Sequence, residues 1–141
     1  MKHIPPVKSV MTPFPYSIDL QATATQALEL MHKHAIRHLP VTDGGHALVG
    51  VVSEHDLKLL TRADDAEPVR VRDICTPEPY VVDLEEPLDN VLLVMAARHI
   101  GSALITRKGR LAGVFTATDA CRSFGEHLRR QFRPGGGDEA A

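Results

Sequence analysis

The sequence predicts an α+β fold: two β-α-β-β-α units packed about a pseudo-twofold axis. Three observations predict it. The first is an internal repeat. Shifted by 64 residues, "VKSVMTP" (7–13) falls on "VRDICTP" (71–77), Asp19-Leu20 on Asp83-Leu84, Leu28 on Leu92, Met31 on Met95 and Ile36 on Ile100. One residue drops out after Gly45 and Gly109, and at an offset of 63 Leu48 meets Leu111, Gly50 meets Gly113, Ser53 meets Thr116 and Asp56 meets Asp119. A register kept on both sides of one deletion, in a Gly-bearing turn, marks a duplicated unit. The second observation is that each copy passes from a helical stripe to two tightly joined strands. The third is size. A unit of roughly 60 residues buries too little surface to stand comfortably alone, so two must share their burial.

The elements follow in order. "PYSIDL" (15–20) and "PYVVDL" (79–84) are short extended segments after prolines. "TATQALELMHKHA" (23–35) carries apolar residues at Ala24, Ala27, Leu28 and Met31, a helical stripe, and Thr23 with Gln26 forms a capping box at its start. In the second copy Pro87 sits in the first turn, and Leu88, Val91, Leu92 and Met95 form the stripe of a helix over 87–99. "HLPVT" (38–42) and "SALIT" (102–106) are strands. Each is joined by a Gly-bearing turn to "ALVGVVS" (47–53) or "RLAGVFT" (110–116). A second helix closes each unit: "EHDLKLL" (54–60) and "ATDACRSFGEHLRRQF" (117–132). "TRADDAEP" (61–68) reads as the linker. The units are therefore 1–66, with an N-terminal linker, and 67–133, with a C-terminal helix, and 134–141 is expected to be a disordered tail.

Composition narrows the function. With 16 basic and 18 acidic residues the formal net charge is −2, which argues against a nucleic-acid binder driven by bulk charge. Trp is absent and aromatics make up 4%, too few for a base-stacking platform. No run is long enough to span a bilayer, and "MKHIPPVKSV" has no apolar signal core, so no membrane partner is expected and the cytoplasm is the expected location. Cys75 and Cys121 lack metal-ligand spacing and are too few for a disulfide framework.

"GVVSEHD" (50–56) and "GVFTATD" (113–119) are one phrase written twice. A hydroxyl with a short acid three residues on, after a buried strand, is an altered capping box. The same geometry suits a nucleotide. A helix start offers N–H groups and positive dipole to phosphate, the capping hydroxyl can donate there, and the Asp lies on the same helix face to accept ribose hydroxyls. Gly50 and Gly113 would let a flat base approach the backbone.

These residues carry a resemblance. "VKSVMTP" and "VRDICTP", "AIRHLPVTD" (35–43) and "HIGSALITR" (99–107), and the doubled phrase resemble a tandem cystathionine-β-synthase (CBS) domain pair, or Bateman module, over residues 7 to 125. The resemblance implies a stand-alone, non-catalytic sensor that binds AMP, ADP or ATP between its units and acts on a separate effector protein. The adenine nucleotide is then a ligand, not a catalytic cofactor. Ser53 and Thr116 would meet phosphate, and Asp56 and Asp119 ribose. Adenine would lie near Leu39, Pro40 and Val41 in one site and Ser102, Ala103 and Leu104 in the other, with Thr12 and Thr76 as further lining. A homodimer is expected too, joined through helices 23–35 and 87–99, with Leu30 and Val94 left facing outward. The alternative is a dimerisation scaffold with no physiological nucleotide.

Other constellations read less functionally. His32, His34 and His38 have no acidic third ligand at useful spacing, and read as solvated helix-end histidines rather than a metal site. Ser53, His55 and Asp56 hold the letters of a hydrolytic triad, but adjacent residues on a helix diverge by about 100°, so no catalytic residue is assigned. Phe124, Leu128 and Phe132 form a stripe in the basic last helix, expected to dock on the chain's own units, with a partner or dimer surface as the alternative. Glu54 beside Ser53 is expected to repel phosphate, making the second site better for highly charged ligands.

Overall fold

The computed structural model describes residues 3–13, 15–44, 47–60 and 68–132, so most of the linker and the whole tail lie outside the described residues. A 3-10 turn at Val7–Ser9 precedes β1 (Thr12–Pro13). The first unit then runs β2 (Ile18–Asp19), α1 (Ala24–His34), β3 (His38–Thr42), β4 (Leu48–Ser53) and α2 (Glu54–Leu60). The second is led by α3 (Val71–Ile74) and β5 (Thr76–Pro77) and runs β6 (Val81–Asp83), α4 (Leu88–Arg98), β7 (Ser102–Arg107), β8 (Arg110–Thr116) and α5 (Ala117–Phe132). The two units are the predicted β-α-β-β-α pair.

Local chemistry sets the boundaries. Thr23 Oγ1 accepts from the Gln26 N–H and Gln26 Oε1 accepts from the Thr23 N–H, so the capping box at the start of α1 closes in both directions. The two long stripe helices end alike: Ala35 (φ 54°) and His99 (φ 55°) take the left-handed conformation, 64 residues apart, and turn the chain into the next strand.

Two four-stranded sheets result, in the orders β2-β3-β4-β5 and β1-β8-β7-β6. Each therefore ends on a strand from the segment that leads the other unit. Thr12 and Pro13 pair with Val114 and Gly113; Thr76 and Pro77 pair with Val51 and Gly50. The exchange extends beyond the strands. The Val7 N–H donates to Glu86 O and the Val71 N–H to Ala22 O, both at 2.8 Å, and the Leu88 and Ala24 N–H groups donate to Pro5 O and Val69 O. Each of these pairings and bonds has its twin 64 or 63 residues away. That is the pseudo-twofold relation expressed in hydrogen bonds.

The cores follow the same rule. Met31, Leu39, Val52 and Leu57 of the first unit bury together with Val71 and Ile74 from the second leader. Val91, Ala103, Ile105 and Phe115 of the second bury together with Val7 from the first leader. Val7 and Val71 are fully buried, so each leader contributes on the order of 1.5 kcal/mol or more of apolar burial to the opposite core. Neither half completes its sheet or its core alone.

Two expectations change here. Leu30 packs against its own core instead of facing outward. The stripe on α5 is left largely open: Phe124, Leu128 and Phe132 are 62%, 40% and 77% exposed.

Candidate functional site

The exchange leaves two clefts where the copies meet. One, of about 640 Å³, takes Thr116, Asp119 and Arg122 from the end of β8 and start of α5, and Thr12, Tyr16 and Ile36 from the first copy. The other, of about 550 Å³, takes Ser53, His55 and Asp56 from the end of β4 and start of α2, and Thr76, Tyr80 and Ile100 from the second. They are twins: Tyr16 and Tyr80, Ile36 and Ile100, and Val114 and Val51 stand at equivalent positions. Each cleft thus faces the doubled phrase of one copy with the Pro-Tyr segment and helix end of the other.

The two phrases are not in the same state. In the second copy the box is fully closed. Asp119 Oδ2 accepts from the Thr116 N–H at 2.9 Å and from Thr116 Oγ1 at 3.1 Å, and Thr116 Oγ1 accepts from the Asp119 N–H at 3.2 Å. The Arg122 guanidinium donates to Asp119 Oδ1. Asp119 is buried, and these contacts satisfy a carboxylate that burial alone would penalise. In the first copy only half the box forms, with the Asp56 N–H donating to Ser53 Oγ at 3.1 Å. The residue three on from Asp56 is Leu59, so the carboxylate has no guanidinium on its own helix. Both helix starts are already partly engaged: the Glu54 and Ala117 N–H groups donate to Arg37 O and Gly101 O.

The aromatic walls differ as well. The Tyr16 ring stacks on His34, centroids 3.7 Å apart. The Arg98 guanidinium sits 5.2 Å over the Tyr80 ring. Burial raises the Tyr80 hydroxyl pKa; Glu86 adds to this and Arg98 opposes it. His38, at the start of β3, borders both clefts. Burial pushes its pKa below the ordinary imidazole value; Asp56 opposes the shift and Arg37 adds to it. His34 and His38 are therefore cleft residues, not solvated helix-end histidines.

The predicted site residues divide into two groups. Ser53, Asp56, Thr76 and Ser102 meet in one cleft, and Thr12, Thr116 and Asp119 in the other. Leu39, Val41, Ala103 and Leu104 are fully buried, as is Pro40, because β3 and β7 are central strands covered on both faces; these five fill the interior. Gly50 and Gly113 face the exchanged strands, where an added Cβ would come 2.8 Å from Thr76 O and 2.9 Å from Thr12 O. Their small size serves the crossing of two backbones. Glu54 also turns away from the Ser53 cleft. Its carboxylate meets His32 at 3.0 Å, Lys58 at 3.6 Å and Arg37 at 4.0 Å. Desolvation works against its ionisation, but Lys58, His32 and Arg37 outweigh that and lower its pKa. It is therefore not among the residues that line that cleft, where it was expected beside the phosphate. Tyr16, Ile36, Tyr80 and Ile100 were the missed residues. The repeated "PY" at 15–16 and 79–80 was their signal.

A family model described as CBS domain matches residues 7–60 and 71–126. An L-aspartate semialdehyde sulfurtransferase of Methanocaldococcus jannaschii is 27% identical over 120 residues; the match covers 84% of this chain and 23% of that protein, so the chain spans about a quarter of its length. A CBS domain pair solved in complex with 5-methylthioadenosine and S-adenosyl-L-methionine superposes with a TM-score of 0.80 at 25% identity, covering 89% of this chain and 99% of that one. The CBS domain of a bacterial CNNM/CorC family Mg2+ transporter, solved with ATP, gives 0.75 at 26%, covering 86% and 87%. With both copies matched by the family model and the whole fold superposing on solved members, this chain belongs to the CBS domain family.

Proposed function

We propose that the chain is a non-catalytic regulatory module that binds adenine nucleotides in its two clefts and passes the signal to a separate effector protein. The observation that carries this is the pairing within each cleft. A hydroxyl and an Asp three residues apart, on one copy, face a tyrosine and an isoleucine of the other. The polar pair suits phosphate and ribose, and the opposite wall suits a flat apolar base. A ligand in either cleft touches both copies and so bears on their relative position, which is how binding would be signalled. A CBS domain solved with ATP and a CBS domain pair solved with S-adenosyl-L-methionine support the ligand class.

In this reading the module works as a homodimer. Leu93 is 68% exposed on α4, and Phe124 and Phe132 add apolar surface on α5, more than a lone chain needs to leave in water. We also place the chain in the cytoplasm. No helix among the described residues is long and apolar enough to cross a membrane, and Cys75 and Cys121 are free thiols. Crystals grown with AMP and with ATP test the ligand reading. Adenine against Tyr16 or Tyr80, with ribose on Asp119 or Asp56, is the expected density; empty clefts at millimolar nucleotide would refute it.

A further inference from the structure

The two clefts share a framework, but their fixed charges differ in sign. The Thr116 cleft holds Arg37 and Arg122 against one carboxylate, Asp119. The Ser53 cleft holds one guanidinium, Arg98, against two carboxylates, Asp56 and Glu78. The difference arises at repeat positions where the copies diverge: Arg37 stands opposite Gly101 in the register, Arg122 opposite Leu59, and Arg98 opposite His34. Histidines do not reverse it. They fall on both sides, His34 and His38 lining the first cleft and His38, His55 and His99 the second, and burial moves His38, the one they share, toward its neutral form. Nor does Glu54 cancel Arg37. The contact is 4.0 Å long, the Arg37 side chain is 82% exposed, and Glu54 is shared with His32 and Lys58.

Resting on the nucleotide reading above, we propose that the clefts take ligands of different charge. The Thr116 cleft selects anionic nucleotides with a phosphate tail. The Ser53 cleft selects adenosyl compounds whose tail is neutral or cationic. Arg122 is the main specificity residue of the first. It is held on Asp119, at the ribose end, and presents the rest of its guanidinium to the cleft as a fixed cation. Glu78 is its counterpart in the second. It is exposed at the rim, with a left-handed backbone (φ 53°) that fixes where it leaves the chain. A one-charge change at the few-ångström distances of a wet cleft shifts binding by roughly tenfold.

The chain has two tyrosines, Tyr16 and Tyr80, one in each cleft, so each reports its own site. Protein labelled with 3-fluorotyrosine should give two fluorine resonances, assigned with Tyr16→Phe and Tyr80→Phe. Titration with adenosine, ATP and S-adenosyl-L-methionine then gives separate affinities. At the Tyr16 signal ATP should bind at least about tenfold tighter than adenosine, a preference that shrinks with salt. At the Tyr80 signal adenosine and S-adenosyl-L-methionine should bind at least as tightly as ATP. Arg122→Leu should remove most of the ATP preference at Tyr16, and Glu78→Gln should raise ATP affinity at Tyr80. The same ranking at both signals, or rankings untouched by these two changes, would overturn the proposal and leave nucleotide binding standing. No response of either signal to any of the three compounds would overturn both.

Discussion

Replacing Gly50 with alanine tests the strand exchange that builds the clefts. Gly50 lies in β4 and pairs with Pro77 of the exchanged strand β5. An added Cβ would stand 2.8 Å from Thr76 O, 3.3 Å from Cys75 Sγ and 3.5 Å from Cys75 Cβ. Ordinary contact begins near 3.4 Å, so the carbonyl would have to retreat by roughly 0.6 Å. It cannot do so freely. The leader is anchored by bonds from the Val71 N–H to Ala22 O and from the Arg72 N–H to Leu20 O, and Val71 and Ile74 are locked in the opposite core. Overpacking at such a site costs about 1–3 kcal/mol. At about 2–4 °C per kcal/mol for a chain near this size, Tm should fall by roughly 2–12 °C in calorimetry or circular dichroism. Gly113→Ala, its twin against Thr12 O, should act in the same direction. Gly125→Ala is the control. Nothing lies within 4 Å of its Cβ, and in the interior of α5 it should raise stability by about 0.5–1 kcal/mol. Equal Tm values for Gly50→Ala and the parent would refute the crossing.

His38 is held below the ordinary imidazole pKa, so the folded chain resists its protonation. The unfolded chain then binds more protons, and the His38 contribution is complete above pH 6.5 and lost as pH falls from there through the folded value. Denaturant unfolding between pH 8 and 5 should show this loss in the parent and a flatter profile in His38→Gln; parallel profiles would count against it. The dimer reading expects light scattering to report twice the chain mass at tens of micromolar, and Leu93→Glu or Phe124→Glu to shift this toward one chain. A parent that stays monomeric at high micromolar concentration contradicts it.

What could be read in advance follows the repeat. Two copies in one register locate the stripe helices within a residue or two, because each boundary is marked twice: Thr23 with Gln26 at one start, Pro87 at the other. The leaders escaped this reading. β1 and β5 are two-residue strands, too short to carry any period, and their pairing with the opposite unit is a long-range event with no local signature. The hydroxyl-Asp pairs were found because their chemistry repeats. In sequence Leu39, Pro40 and Val41 could equally border a cleft or fill the interior, since a strand covered on both faces looks like any apolar wall; the structure buries all three side chains. Glu54 was misread for a similar reason. Its neighbour Ser53 is adjacent in sequence, but its partners His32 and Arg37 are adjacent only in the fold.

The most direct test of the central claim is the stoichiometry of nucleotide binding by titration calorimetry. Two adenine ligands per chain are expected. Asp56→Ala should remove or weaken one site and Asp119→Ala the other, each by about 1.5–3 kcal/mol for loss of a charge-assisted hydrogen bond, and the double variant should bind neither well. Two sites unchanged in the double variant, or no binding to the parent at millimolar AMP and ATP, would contradict it.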